Sequence, residues 1–241
     1  MTASAVIWHE LECGGYDEDL ELWRRLAREA RGPVLDVGAG TGRVTLDLAR
    51  RGHPVTALDL DGELLARLAA DADGLRVATV TADARDFSLQ QTFALCIVPM
   101  QTIQLLDGTA ARRVFLTCAA RHLRPGAVLA IAITDELEPF DAGDELVIAP
   151  LPDVCERDGI VYCSRATAIR EHDDGFVLER RRETVSATGE LTVEHDEVAL
   201  HRVAAQTLER EGADVGLTPA GRTIVPATDD YVASMVVMFR A

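Results

Sequence analysis

Three glycines and two carboxylates stand where they could hold a ligand. Asp36 lies within the short apolar run Val34-Leu35-Asp36-Val37, Gly38, Gly40 and Gly42 follow it directly, and Asp59 ends the next apolar, β-branched run. Glycines so spaced let the backbone take positive φ and let a ligand approach it closely, and the helix they open presents unpaired N–H groups. A carboxylate at the end of the second strand can accept hydrogen bonds from both hydroxyls of a ribose. The chemistry suggested is nucleoside binding. The dinucleotide fingerprint G-x-G-x-x-G/A would need Gly or Ala where Arg43 or Thr45 stands. Asp36, two residues before the first glycine, would repel a pyrophosphate and suits an ammonium group. A nicotinamide dinucleotide is weakened, and a nucleoside carrying an amino-acid tail is favoured.

The elements that must place these residues are legible from periodicity. Leu20 to Arg31 has the apolar spacing of a helix, which Gly32-Pro33 ends. Val34–Val37 reads as a buried strand, and Arg43 to Arg51 as a helix closed by Gly52. Pro54 to Leu58, Leu75 to Val80, Phe93 to Val98 and Ala127 to Ile133 read as further strands. Helices at Gly62 to Ala72 and Ala110 to Leu123 intervene, the latter stopped by Arg124-Pro125-Gly126. Alternating strands and helices predict right-handed βαβ units and a doubly wound, mostly parallel seven-stranded sheet of the α/β class.

The pattern changes after Thr134. Glu136 to Asp158 reads as an acidic loop with one short strand at Leu146 to Ile148. Gly159 to Arg170, Phe176 to Ser186 and Leu191 to Leu200 then read as an antiparallel β-meander inserted after the fifth strand. A helix near Ala204 to Ala213 and two strands, Leu217 to Val225 and Tyr231 to Phe239, form a closing hairpin at the sheet edge. The organisation expected is an N-terminal arm and helix over residues 1–32, acting as a lid, a Rossmann-like cofactor core over 33–134, the inserted sheet roofing the active site over 135–200, and a C-terminal helix and hairpin over 201–241.

The run from Val34 to Arg43 resembles the first motif of class I S-adenosylmethionine-dependent methyltransferases, and the likeness extends over about residues 15 to 133. Ala57-Leu58-Asp59-Leu60-Asp61 is similar to the second-strand motif, Thr81-Ala82-Asp83-Ala84 to the adenine loop, and Phe93 to Leu106 to the fourth strand and the loop facing the transferring methyl. The resemblance implies that Gly38, Ala39, Gly40 and Gly42, with Asp36, line the methionine and ribose, Asp59 and Leu60 the ribose and adenine, Ala82, Asp83 and Ala84 the adenine, and Val98, Pro99 and Met100 the sulfonium. S-adenosylmethionine is the implied cofactor and S-adenosylhomocysteine its product. Tyr16, ahead of the first helix, is placed near the sulfonium, where cation–π attraction is available.

Amino-group and adenine methylases of this class carry Asn/Asp-Pro-Pro-aromatic after the fourth strand, where this chain has Val98-Pro99-Met100-Gln101. What remains resembles the small-molecule, secondary-metabolite branch, with oxygen or nitrogen as the accepting atom. Gln101 and Gln104 are expected to hydrogen-bond the acceptor. His195 and His201, of one parity on the third meander strand, could serve as bases, and Trp8 and His9 could belong to the lid. Arg180, Arg181 and Arg182 are flanked by Glu179 and Glu183, the pattern of a cross-strand ion-pair ladder. Displacement at a sulfonium methyl needs positioning first and a base only for a protonated acceptor. Cyclisation, another opening of the sulfonium, or non-catalytic nucleoside binding would use the same cofactor half.

Composition sets the outer bounds. The 241 residues are 48% apolar and 27% charged, which excludes disorder and gives enough chain for a packed core. Forty acidic against 24 basic residues leave a net charge of −16, which repels phosphate backbones and argues against nucleic acid. Every basic residue is Arg, so mechanisms that need a lysine are excluded. The longest apolar run is far below the roughly 20 residues of a membrane helix, and Met1 to Glu12 lacks the charge pattern of a secretory signal. A cytoplasmic monomer or homodimer is expected. Five scattered cysteines without a C-x-x-C pair read as small hydrophobes and support no metal site.

Overall fold

β-Branched and apolar residues at Val34–Val37 (β1) are buried on both sides, as a central parallel strand requires. A computed structural model of the chain describes residues 5–134, 137–144, 150–228 and 231–241. Two compact units emerge, one of Tyr16–Asp135 with Val203–Ala241, the other of Met1–Gly15 with Glu136–Arg202. The unit boundary at Gly15 falls inside the segment read from the sequence as a single arm and helix.

In the first unit, helix α2 (Leu20–Ala30; α1 belongs to the other unit) precedes β1. Then follow α3 (Arg43–Arg50), β2 (Val55–Asp59), α4 (Gly62–Asp71), β3 (Val77–Thr81), β4 (Phe93–Val98), a 3-10 turn (Thr102–Leu105), α5 (Gly108–Arg121) and β5 (Leu123–Ile133). Helix α6 (Ala205–Asp214), β11 (Thr218–Val225) and β12 (Ser234–Arg240) complete it. The seven strands lie in the order β11-β12-β5-β4-β1-β2-β3. All pairs are parallel except β5 with β12 and β11 with β12. Strand order reverses between β1 and β4, so the crevice beyond their carboxyl ends is the place such a sheet offers a ligand.

Alternation divides the core. Leu35, Val37, Cys96 and Val98 meet Phe115, Leu116, Leu208 and Phe239 on one face, while Val34, Leu95 and Ile97 meet Trp23, Leu26, Val44 and Leu48 on the other. Full burial of each such side chain stabilises the fold by about 1.5 to 3 kcal/mol. Asp36 shares the parity of Val34 and so lies on the α3 side. Helix α5 ends at Arg121, earlier than the Arg-Pro-Gly signal suggests, because Leu123 already pairs with Phe93 and the register then shifts before Val128. Arg124-Pro125-Gly126 is thus an irregularity within β5 and not a helix stop. Arg112 of α5 grips Glu211 of α6 by two hydrogen bonds of 2.9 and 2.7 Å, both side chains buried.

The second unit has helix α1 (Ala5–Cys13) and an antiparallel sheet of β6 (Phe140–Asp141), β7 (Asp153–Arg157), β8 (Ile160–His172), β9 (Gly175–Val185) and β10 (Leu191–His201). The order is β10-β9-β8-β6, with β7 also on β8. The three long strands match the meander read from the sequence. Asp153–Arg157, read as loop, is a strand because each residue pairs with one of Ile160 to Ser164 across a tight turn. The strand expected at Leu146 to Ile148 lies outside the described residues. Helix α1, too short to stand alone, is held by tertiary contacts. Trp8 packs edge-on against Tyr162 at 5.7 Å, Arg182 lies over the Trp8 ring, and Glu12 accepts from Arg182 at 2.7 and 2.8 Å and from the Ser164 hydroxyl at 2.7 Å. Burial raises the Glu12 pKa, but the Arg182 and Ser164 hydrogen bonds outweigh it and hold the carboxyl below its ordinary value.

Breaking a buried ion pair strands the partner's charge. Arg112→Ala is expected to lower unfolding stability by about 3 to 5 kcal/mol, measured by urea denaturation, and Arg112→Met with Glu211→Leu to restore most of it.

Candidate functional site

The turn after β1 closes in five residues, and three of them have positive φ: Gly38 at 72°, Gly40 at 55° and Gly42 at 96°. A Cβ on Gly38 would come within 2.4 Å of the Thr102 methyl carbon and 2.6 Å of its hydroxyl. Glycine is therefore required there for both conformation and space, and Thr102 marks how closely the loop after β4 approaches the turn. The Gly38 and Ala39 N–H groups both donate to the Leu58 carbonyl. Gly40 N–H donates to Asp59 Oδ2 at 2.7 Å, and Asp61 N–H to Asp59 Oδ1 at 2.9 Å. Asp61 in turn caps α4, accepting from the N–H groups of Glu63 and Leu64. Each Asp59 oxygen retains a further lone pair, enough for a pair of hydroxyls. Leu60, next to it, is 71% exposed, an apolar face beside a hydrogen-bonding one. The Ala39 side chain packs into a small cluster with Leu46 and Leu68, so only its backbone is left for a ligand.

Asp36 is 1% exposed. Its Oδ2 accepts from the Thr45 hydroxyl at 2.6 Å, and its Oδ1 has no hydrogen-bond partner among the described residues. Burial raises its pKa to about 6, against the lowering effects of Thr45 and Arg43. An acceptor orphaned under a glycine turn fits a ligand that brings a positive charge.

Arg43, the first residue of α3, spends its guanidinium on a bidentate pair with the buried Asp19, at 2.6 and 2.8 Å, and on the Tyr16 carbonyl at 2.8 Å. It also covers one face of the Tyr16 ring, 4.9 Å from its centroid. That ring meets Tyr231 edge-on at 4.9 Å. Burial pushes the Tyr16 phenol up, with a hydrogen bond to Ser234 opposing it. The cation–π partner of Tyr16 in the structure is thus Arg43, an occupation the sequence did not reveal. Asp19 and Arg43 carry no recognisable motif as a pair, since 24 positions and a strand separate them.

Beyond β3, the Ala82 N–H donates to the Asp59 carbonyl, linking the two expected ligand loops. Asp83 is paired with Arg85, through its side chain at 2.6 Å and its backbone N–H at 2.8 Å, which draws its pKa down to about 2. Ala84 packs against the core. Beyond β4, Val98 and Pro99 are buried, and Met100 takes φ 53°, an unusual conformation for a residue with a side chain and one that concentrates at functional sites. Gln101 follows, half-buried, its carbonyl accepting from the Gln104 N–H. Gln104 is otherwise employed. Its amide donates to the Thr134 carbonyl and accepts from the Thr134 N–H, both at 2.8 Å, and it is fully buried. It ties the 3-10 turn to the end of β5, a role that a polar side chain past β4 does not announce.

The other expected residues lie in the second unit. His195 is exposed on β10, and His201 lies 3.8 Å from Asp174. The register of β10 with β9 is unbroken, so the two histidines do share a parity. Arg181 pairs with Glu183 and Arg182 with Glu12 and Asp196, in the manner of a ladder, with Arg180 3.6 Å from Asp153. Cys96 and Cys118 are buried, whereas Cys13, Cys155 and Cys163 are only partly so.

Strand order, the glycine turn at the switch point and the acidic residue ending β2 define a class: this is the fold of class I S-adenosylmethionine-dependent methyltransferases. Residues 34–126 match a family model described as a methyltransferase domain. The chain is 32% identical over 112 residues to a cypemycin N-terminal methyltransferase of a Streptomyces species, a match that spans 46% of each protein, about half the length of that relative. The whole chain superposes on an amino pentose methyltransferase from Micromonospora echinaspora, solved with S-adenosylmethionine, with TM-score 0.71 at 21% identity and 99% of that structure covered. It superposes equally on a sugar N-methyltransferase from Streptoalloteichus, with TM-score 0.73 at 22% identity and 94% covered. At this identity the structural likeness establishes the fold.

Asp59→Ala is expected to weaken binding of S-adenosylhomocysteine by about 1.5 to 3 kcal/mol, the scale of hydrogen bonds to a charged group. Unchanged affinity in calorimetry would remove Asp59 from the site.

Proposed function

We propose that this chain transfers the methyl group of S-adenosylmethionine to a nitrogen of a small molecule. The observation that carries the reading is the charge balance at the glycine turn. Asp36, Asp59 and Asp19 stand against Arg43 alone, whose charge is already committed to Asp19. A pyrophosphate placed there would meet net negative charge, whereas an ammonium and a sulfonium are attracted.

The chain's own residues then have separable tasks. Asp59, fixed by the Gly40 and Asp61 N–H groups, receives the ribose hydroxyls, and Leu60 offers the adenine an apolar face. The backbone of Gly38 to Gly40 lets the amino-acid tail lie close, with the Asp36 charge beneath it, and Ala82 to Ala84 flank the base. When bound, S-adenosylmethionine supplies an electrophilic methyl that a lone pair can take in one displacement. Positioning of that lone pair falls to Val98 through Gln101, whose half-buried amide can hydrogen-bond the acceptor. No residue from Val98 to Leu106 titrates, so the loop provides no base. An amine, nucleophilic in its neutral form, needs none there. The names of the relatives, an N-terminal methyltransferase, an amino pentose methyltransferase and a sugar N-methyltransferase, support nitrogen over oxygen. The net charge of −16 supports a small molecule over nucleic acid as partner, and no described helix is long and apolar enough to cross a membrane. The assembly proposed is a monomer or homodimer.

Calorimetry should show micromolar binding of S-adenosylhomocysteine and none of NAD; the reverse would discard the reading. With S-adenosylmethionine present, a panel of amino sugars and peptide amines should yield methylated product where the matching hydroxyl compounds do not. Methylation of the hydroxyl compounds instead would overturn nitrogen as the acceptor.

A further inference from the structure

Asp36 has chemistry that ligand binding alone leaves unused. Its carboxylate is withdrawn from water, holds a single hydrogen bond from Thr45 and leaves Oδ1 without a partner among the described residues. Groups from every neighbouring element bear on it: Arg43 and Thr45 from α3, Asp59 from β2, the Cys96 thiol from β4, and Asp19 from the segment ahead of α2. The Arg43 guanidinium is held by Asp19, and the other two carboxylates disfavour a further negative charge. A buried carboxylate under-supplied with donors and counter-charge binds a proton readily. Burial is the largest effect and takes this group to about 6.

We propose that Asp36 is a proton switch for the nucleoside site, protonated when no cation is bound in acid and ionised when the ammonium of the ligand settles above it. The inference rests on the S-adenosylmethionine reading given above. The step is a plain acid dissociation: the O–H bond of the carboxylic acid breaks, its electron pair stays on Asp36, and the proton goes to solvent. Binding is therefore coupled to proton release, and affinity falls in acid because the binding-competent, ionised form becomes the minor one. With Asp36 near 6 in the free protein, the apparent Kd at pH 5 is expected to be about tenfold weaker than at pH 8.

The test is calorimetric titration of the full chain with S-adenosylhomocysteine between pH 5 and pH 8, where the amino-acid groups of that ligand keep their charges. Runs near pH 6 in two buffers of different ionisation enthalpy count the protons released. Circular dichroism at each pH establishes that the fold is intact. The expected result is the tenfold loss at pH 5, proton release near pH 6, and for Asp36→Asn a weaker affinity that is flat with pH. Thr45→Val, which removes the Thr45 hydrogen bond to the carboxylate, should move the midpoint of the pH profile upward, and gives a second reading should Asp36→Asn not fold. An equal Kd at pH 5 and pH 8, no dependence on buffer, or a pH profile that persists in Asp36→Asn would overturn the switch. Failure to bind at pH 8 would overturn the cofactor reading itself, and the switch with it.

Discussion

The site depends on one carboxylate being held at the edge of a sheet. Asp59 leaves the end of β2 and takes two backbone N–H groups, from Gly40 across the turn and from Asp61 in its own chain. Those bonds fix the crest of the glycine turn relative to β2, and Asp61 starts α4 from the same point. The Asp59 carbonyl receives the Ala82 N–H, so the third loop is referred to the same residue. Three loops from three strands thus share one reference. The two bonds to the carboxylate, at 2.7 and 2.9 Å, are charge-assisted, the stronger kind.

Charge decides what that frame can hold. The common use of a glycine turn at a helix N-terminus is to bind a phosphate, because the N–H groups and the helix dipole are positive. Here three carboxylates surround the turn and the one arginine among them is spent, so the sign is reversed locally. This is the charge balance on which the proposal of a cationic ligand rests. Asp36 carries the cost of this arrangement, being buried with one oxygen unpartnered among the described residues. In the reading proposed above, a bound cation would supply the partner that this group lacks.

The second unit is built on different terms. Its long strands β8, β9 and β10 pair with their neighbours in sequence, as β7 does with β8, and several of its charged residues pair across strands, Arg170 with Asp141 and Glu179, Arg180 with Asp153 and Arg182 with Asp196. Helix α1 joins that sheet through Glu12, which takes both the Arg182 guanidinium and the Ser164 hydroxyl. One acidic residue in a nine-residue helix thus commits the first stretch of the chain to strands that begin more than a hundred residues later.

Where the period of the apolar pattern was clear, residue order alone determined the answer. The five parallel strands, the helices between them, the three long meander strands, the glycine turn and Asp59 follow from alternation, helical spacing and the restricted conformations of glycine, all of which are local properties. Helix α1 and β7 were not legible, because their stability comes from Tyr162, Arg182 and Ile160 to Ser164 and hardly from their own residues. The fates of individual polar side chains were also closed to the sequence. Gln104 and Gln101 are three apart and alike in type, yet Gln104 is buried and bonds the backbone of Thr134, while Gln101 is only half-buried. Arg43 could have faced a ligand, and instead binds Asp19 and Tyr16. Such choices depend on which groups the packed strands bring within hydrogen-bonding reach, and only the tertiary structure decides that.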